Sequence, residues 1–305
     1  MHDAVITARG LTVYQGSRPT VRALDLTIQR GCVYGFLGRN GAGKTTVIRM
    51  LLGLLRPTRG SGTILGSPIT AIPPSLRERI GYISEHHPVY GWMRVRGWAE
   101  FQKGFYPRWK DTIFAAILDH FRITLDARIA TLSRGQQAGL CLATTLAPQP
   151  ELLILDDPTL GLDPIARGAF LEAMIFLTRG GERTVLFSSH QLSDIERVAD
   201  RVGILEEGRL MADCSMDTFR ERIRRVTLTP SDPSAPASVF PGMLTVRRLD
   251  RQWEVTYVTL PGSDEALARL GQGLQAQTLQ LEEAFTAYVG ERGMGPSLLQ
   301  RMGAV

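Results

Sequence analysis

Residues 32–55 read CVYGFLGRNGAGKTTVIRMLLGLL, and this run sets the architecture around it. CVYGFL (32–37) has the composition of a buried strand, and TTVIRMLLGLL (45–55) places its apolar residues at helical spacing. Between them Gly38, Arg39, Asn40, Gly41, Ala42, Gly43, Lys44 and Thr45 fit G-x-x-x-x-G-K-[ST], in the strand–turn–helix context that the pattern requires. Glycines at 38, 41 and 43 let the backbone turn its N–H groups inward. With the positive end of the following helix they make a cradle for phosphate oxygens. Lys44 is placed to reach the β- and γ-phosphates and the Thr45 hydroxyl to bind Mg2+, with Thr46 completing the stretch. The plain alternative is a glycine-rich turn that only closes a strand–helix unit. Lysine occurs at 44, 103 and 110 alone, which leaves little room for a chance match. The stretch reads as a nucleotide site.

The chain of 305 residues is 44% hydrophobic, enough for one large domain with an appendage. It has no run of about 18 apolar residues, and MHDAVITARGLTV lacks the basic start of a secretory signal, so a cytoplasmic protein is expected. Cys32, Cys141 and Cys214 are far apart and read as buried small hydrophobes rather than a disulfide or metal cluster. A net charge of +5 raises nucleic acid or anionic lipid as partners, but apart from RERIRR (220–225) the arginines are scattered. Solvated helix faces explain that pattern.

Three more stretches narrow the class. LSRGQQ (132–137) opens a helical run, LLILDDPTLGLDP (152–164) is an apolar strand ending in two carboxylates, and TVLFSSHQL (184–192) is an apolar strand ending in Ser-Ser-His. Asp156 ends its strand at the sheet's carboxyl edge, where it can hold Mg2+ through water. The cation also relieves the repulsion between neighbouring carboxylates. Ser133 is suited to cap the helix that follows it.

In this order, over residues 3–215, the motifs resemble those of the ATP-binding subunit of an ABC transporter. The resemblance implies an α/β fold: a P-loop NTPase with a mostly parallel sheet core, an antiparallel N-terminal β-subdomain, a helical subdomain and a small C-terminal α+β appendage. It implies ATP and Mg2+ as cofactors. Tyr14 would stack on adenine, Asp157 would polarise the attacking water, and His190 would reach the γ-phosphate. Ser133, Gly135, Gln136 and Asp163 would serve the nucleotide of a second ATPase subunit, in a homodimer or heterodimer. The partner would be an integral membrane permease, with this chain peripheral on the inner face of the membrane and no nucleic acid involved.

Three positions depart from the family's pattern. Asp157 stands where glutamate is usual, which withdraws the carboxylate by roughly 1.5 Å against a hydrogen-bond window of about 2.6–3.2 Å. Either the local backbone compensates, or hydrolysis is slow. Glu85 stands where glutamine usually senses the γ-phosphate and Mg2+; glutamate can still bind the metal. Arg134 replaces a common glycine and is expected to point outward. His86 and His87 follow Glu85 and are expected to be solvent-facing loop residues.

PVYGWMRVRGWAEFQKGFYPRWK (88–110) is dense in aromatics and arginine, and Tyr90, Trp92, Met93 and Trp98 are candidates for a groove that receives the permease. The expected division is an ATP-binding domain at 1–225 with its helical subdomain near 86–150, a linker at 226–242, an accessory α+β domain at 243–291 and a tail at 292–305. LQLEEAFTAYV (279–289) resembles the ending of ABC-2-type exporter ATPases, so export of a small compound is the expected task. Two rivals stay open. One is a non-transport ABC protein acting on nucleic acid or ribosomes; the other is a phosphate-loop kinase or GTPase.

Overall fold

The computed structural model describes residues 3–178, 183–231, 242–249, 251–273 and 276–290. They divide into two compact units, 1–213 and 214–305.

Alternating apolar residues build the first hairpin, β1 (Ala4–Gln15) and β2 (Arg18–Gln29), and the phosphate-loop strand β3 (Val33–Leu37) leads to α1 (Lys44–Leu51). Next come β4 (Arg59–Ile64), β5 (Ser67–Pro68), α2 (Pro74–Arg77) and β6 (Ile80–Ile83). A helical stretch follows, with α3 (Val95–Lys103), α4 (Asp111–His120) and α5 (Arg134–Leu146). The chain then returns to the sheet through β7 (Leu152–Asp156), α6 (Pro164–Thr178), β8 (Thr184–Ser189), α7 (Leu192–Val198), β9 (Arg201–Glu206) and β10 (Arg209–Ser215).

Two sheets share this unit. An antiparallel sheet has the order β2-β1-β4-β5, and a six-stranded sheet has the order β10-β9-β3-β8-β7-β6. In the larger sheet β3, β6, β7, β8 and β9 pair in parallel, as buried strands linked by helices should. β3 and β7 are buried at every residue, which explains their unbroken apolar runs. α1 packs against β2 and β4 of one sheet and β7 of the other. Val47, Ile48, Met50 and Leu51 join a core with Ile6, Leu24, Ile28, Phe36 and Ile154. Each such side chain removed from water contributes about 1.5–3 kcal/mol. This core fixes α1, and with it the phosphate loop, against the carboxyl ends of the parallel strands.

The second unit opens with α8 (Met216–Arg222) and β11 (Ile223–Pro230). A hairpin of β12 (Met243–Leu249) and β13 (Gln252–Val258) follows, then α9 (Ser263–Leu270), β14 (Gly271–Gly273), β15 (Gln277–Thr278) and α10 (Leu281–Gly290). Its sheet runs β12-β13-β11-β14, with β15 also paired to β11. Val226, Leu228, Trp253, Val255, Tyr257 and Leu270 form its core. Residues 226–230, read from sequence as the start of a linker, are strand: Val226 and Leu228 alternate inward opposite Val255 and Trp253. Residues 271–273 leave α9 at Gly271 and pair with β11. Residues 232–241 of the expected linker, and the tail at 292–305, lie outside the described residues.

Candidate active site

The phosphate loop turns from β3 into α1 through Gly43, which caps the helix at φ +108°. A Cβ there would meet the Thr20 carbonyl at 3.0 Å, so conformation and space both require glycine. Lys44 is 5% exposed. Its Nζ donates to the carbonyls of Gly38 (2.8 Å) and Arg39 (3.4 Å), and lies 3.6 Å from Asp157 Oδ2. The loop therefore carries a buried cation fixed by its own carbonyls.

β7 and β8 bring the acidic pair to the same edge. Asp156 Oδ1 accepts from Thr45 Oγ1 (3.1 Å) and Ser188 Oγ (2.9 Å). Burial pushes the Asp156 carboxyl up from its ordinary range, the two hydroxyls and Lys44 oppose that, and Asp157 adds to it. A carboxylate held against its own desolvation is a good seat for a divalent cation. The hard oxygens of Thr45 and Asp156 suit Mg2+. Glu85 lines the same cleft of about 330 Å3, together with Gln15, Thr20, Lys44, Thr46 and Asp157.

Asp157 differs from an ordinary strand end. Its backbone is left-handed, at φ +46°. Aspartate visits that region more readily than most residues, and the proline at 158 disfavours right-handed helix before it. Its backbone N–H donates to the Ser188 carbonyl (3.1 Å) and hydroxyl (3.2 Å). Its Oδ1 accepts from the His190 backbone N–H (3.0 Å) and from His190 Nδ1 (2.8 Å). A carboxylate only accepts here, so the ring proton sits on Nδ1 and Nε2 is the free nitrogen. Asp157 and His190 are thus one unit. The sequence gives no sign of the φ value or of the double bond that depends on it.

The helix-start residues sit elsewhere. Ser133 caps α5 in a capping box: its Oγ accepts from Gln136 N (3.2 Å) while Gln136 Oε1 accepts from Ser133 N (3.1 Å). Gln136 Nε2 donates to the Arg122 carbonyl, so both ends of that side chain are engaged. Gly135 allows close approach to α6, since a Cβ there would lie 2.4 Å from Ala166 Cβ. Asp163 Oδ1 accepts from the N–H groups of Ile165 (2.9 Å) and Ala166 (3.0 Å), capping α6. None of Ser133, Gly135, Gln136 and Asp163 is among the residues lining the phosphate-loop cleft. Arg134 is exposed, and its guanidinium fills the space where a Gly161 side chain would begin. Tyr14, next to last in β1, lies opposite Pro19 and is exposed.

His87 corrects an expectation. Only His86 faces solvent; His87 is 7% exposed, because φ +45° folds the chain back at that residue. Its ring bonds the Pro158 carbonyl, and among the described residues its Nε2 has no partner. Burial lowers its pKa from 6.5, with Arg134 and His86 adding to the effect and the Pro158 carbonyl opposing it. The unfolded chain therefore binds more protons as pH falls below 6.5. Stability contributed by neutral His87 is present above that pH and is lost as the pH drops toward the depressed folded value. Urea midpoints should be flat above about pH 7 and fall below about pH 6.5. His87→Asn, which tolerates the backbone but does not titrate, should flatten that fall; an unchanged slope would place its source elsewhere.

The aromatic stretch splits between surface and interior. Tyr90 and Trp92 are 52% and 79% exposed, whereas Trp98 is buried and its Nε1 has no partner among the described residues. Tyr90 packs edge-on against Trp98 with ring centres 5.5 Å apart. Trp98 also lines a cavity of about 240 Å3 with Tyr82, Pro88, Tyr106 and Cys141. Among the described residues no helix is long and apolar enough to cross a membrane.

Comparison with known proteins agrees with this geometry. A family model described as ABC transporter matches residues 21–160. The bacitracin transport ATP-binding protein of Bacillus licheniformis is 36% identical over 73% of this chain and 74% of its own length. The Nod factor export ATP-binding protein I of Rhizobium sp. (strain N33) is 35% identical over 70% of this chain and 72% of its own. The daunorubicin/doxorubicin resistance ATP-binding protein of Streptomyces peucetius is 35% identical, over 69% and 64%. A solved ATP-binding subunit of an ABC transporter superposes with a TM-score of 0.64 at 28% identity, over 71% of this chain and 92% of that one.

Proposed function

Because this chain belongs to the ATP-binding subunits of the ABC transporter family, we propose that two ATPase subunits close on ATP and that the closure drives a separately encoded membrane permease. The chain is an ATP-binding and ATP-hydrolysing subunit. The observation that carries the rest is the division of its site residues. The phosphate loop, Glu85 and Asp157 share one cleft, while Ser133, Gly135 and Asp163 lie outside it. A helix start with its N–H groups and dipole favours phosphate, so a second subunit's α5 start completes the site across a head-to-tail pair.

Within that site Tyr14 stacks on the base, and residues 38–46 hold the phosphates. Thr45, Asp156 and Glu85 hold Mg2+, which supplies charge neutralisation at the β- and γ-phosphates. Asp157 draws a proton from the attacking water, and His190, oriented through Nδ1, presents Nε2 to the γ-phosphate. The left-handed backbone at 157 supports compensation for the shorter side chain over slow hydrolysis. Relatives named for Nod factor export and drug resistance support export of a small compound. The permease would seat a short segment against Tyr90, Trp92 and the Trp98 cavity, with a carbonyl accepting from Trp98 Nε1, placing this subunit at the inner face of the membrane.

Purification of the tagged chain from detergent-solubilised membranes tests the assignment. A polytopic membrane protein should co-purify in stoichiometric amount, and its presence should change the rate of ATP turnover. Nucleic acid or ribosomal protein in its place would overturn the transport reading.

A further inference from the structure

We propose that Asp194 is a positioning residue of the ATPase site: with Thr159 and Arg167 it fastens the loop carrying Asp163 to the loop carrying His190, so that the two move together. The inference rests on the ATPase reading given above.

β7 and β8 pair in parallel with Asp156 opposite Ser188, where the strands end. Beyond that point side chains continue the pairing. Ser188 Oγ donates to Asp156, His190 Nδ1 donates to Asp157, and Thr159 Oγ1 donates to Asp194 Oδ2 at 2.6 Å. These are three successive rungs between the segments 156–159 and 188–194. The third is as deeply buried as the first: Asp194, like Ser188, has no exposed surface, and Thr159, like Asp156, almost none. The other Asp194 oxygen accepts from Arg167 Nε at 2.5 Å, and Arg167 Nη2 donates to Ser193 Oγ at 2.5 Å. Arg167 lies one helical turn past Asp163, the cap of α6.

A buried ion pair is not a strong source of stability, since apolar residues of similar volume often serve as well. What it provides is direction. Both oxygens of Asp194 are committed, one to each side of the 157–167 segment, and Asp194 lies on α7, which starts two residues after His190. A second subunit pressing on Asp163 would shift Thr159 and Arg167, and their bonds would carry the shift to His190. The arrangement links occupancy of the partner surface to the position of the group proposed to face the γ-phosphate.

Thr159→Val keeps the volume and removes the donor, whereas Thr159→Ser keeps the donor. With MgATP as substrate, Thr159→Val should lower kcat about tenfold with KM within about twofold, and Thr159→Ser should stay within about twofold of the parent. In single-turnover reactions, adding Thr159→Val to His190→Ala should cost less than about twofold more, because the relay then has no end point. An unchanged kcat in Thr159→Val, equal losses in the valine and serine variants, or full additivity with His190→Ala would each overturn the proposal. Should Thr159→Val fail to fold, Arg167→Lys is scored the same way, since lysine cannot reach Asp194 and Ser193 together. A parent protein without ATP turnover would instead undo the ATPase reading itself.

Discussion

Asp157→Asn is expected to slow single-turnover cleavage of ATP about 100-fold while leaving MgATP affinity within about threefold. Asparagine tolerates the left-handed backbone found at this position, at φ +46°. Its amide oxygen can still accept from the His190 backbone N–H and from Nδ1, which now meet Asp157 Oδ1 at 3.0 and 2.8 Å. The substitution therefore leaves the local geometry close to the parent's and removes the charge. What is lost is the acceptor for the water's proton and the partner that sits 3.6 Å from Lys44 Nζ. A rate within about threefold of the parent would show that the carboxylate is off the reaction path, leaving His190 to orient the water alone. Asp157→Glu asks the complementary question about reach. The aspartate is already seated on His190, so a longer side chain should give an unchanged or lower rate; a faster one would mean that the native carboxylate stops short.

That expectation could not come from the sequence. LLILDDP shows a buried strand ending in two carboxylates because apolar runs and acidic pairs are visible one residue at a time. The phosphate loop was legible for the same reason, its glycines and lysine being contiguous, and Ser133 with Gln136 spells out its own cap. The parallel core, the antiparallel N-terminal sheet, the helical stretch and the C-terminal α+β unit are what the resemblance to ABC transporter ATPases implied once those motifs were read in order. What escaped is set by backbone conformation and by residues distant in the chain. The left-handed turns at Asp157 and His87 decide which way those side chains go, and the expectation of a solvent-facing loop had left His87 exposed. The pairing of Thr159 with Asp194 joins positions 35 residues apart, with nothing in either neighbourhood to announce it. Residues 226–230 look like the edge of a Pro/Ser-rich linker until β13 supplies the strand they pair with.

Lys44→Ala and Ser133→Arg proteins, each alone, should hydrolyse ATP at least about 100-fold more slowly than the parent, and an equimolar mixture should recover about a quarter of parental activity. Lysine at 44 is a buried cation pinned by the Gly38 and Arg39 carbonyls, so alanine leaves the cradle without its charge. Arginine at 133 removes the capping hydroxyl and puts a bulky cation where a second subunit's phosphate is proposed to lie. Loss of the cap by itself costs about 1 kcal/mol, so a thermal melt of the variant separates that effect from the blocked site. Random exchange makes half of the pairs mixed. Each mixed pair then has one site with both changes and one site with neither, which gives the quarter. A mixture no faster than the sum of its parents, with both variants folded and Ser133→Arg still binding ATP, would mean that identical copies do not complete each other's sites. Repeating the mixture with a second ATPase chain from the same membrane preparation separates the remaining cases. Recovery there assigns Ser133 to a heterodimer, and failure there removes the shared nucleotide altogether.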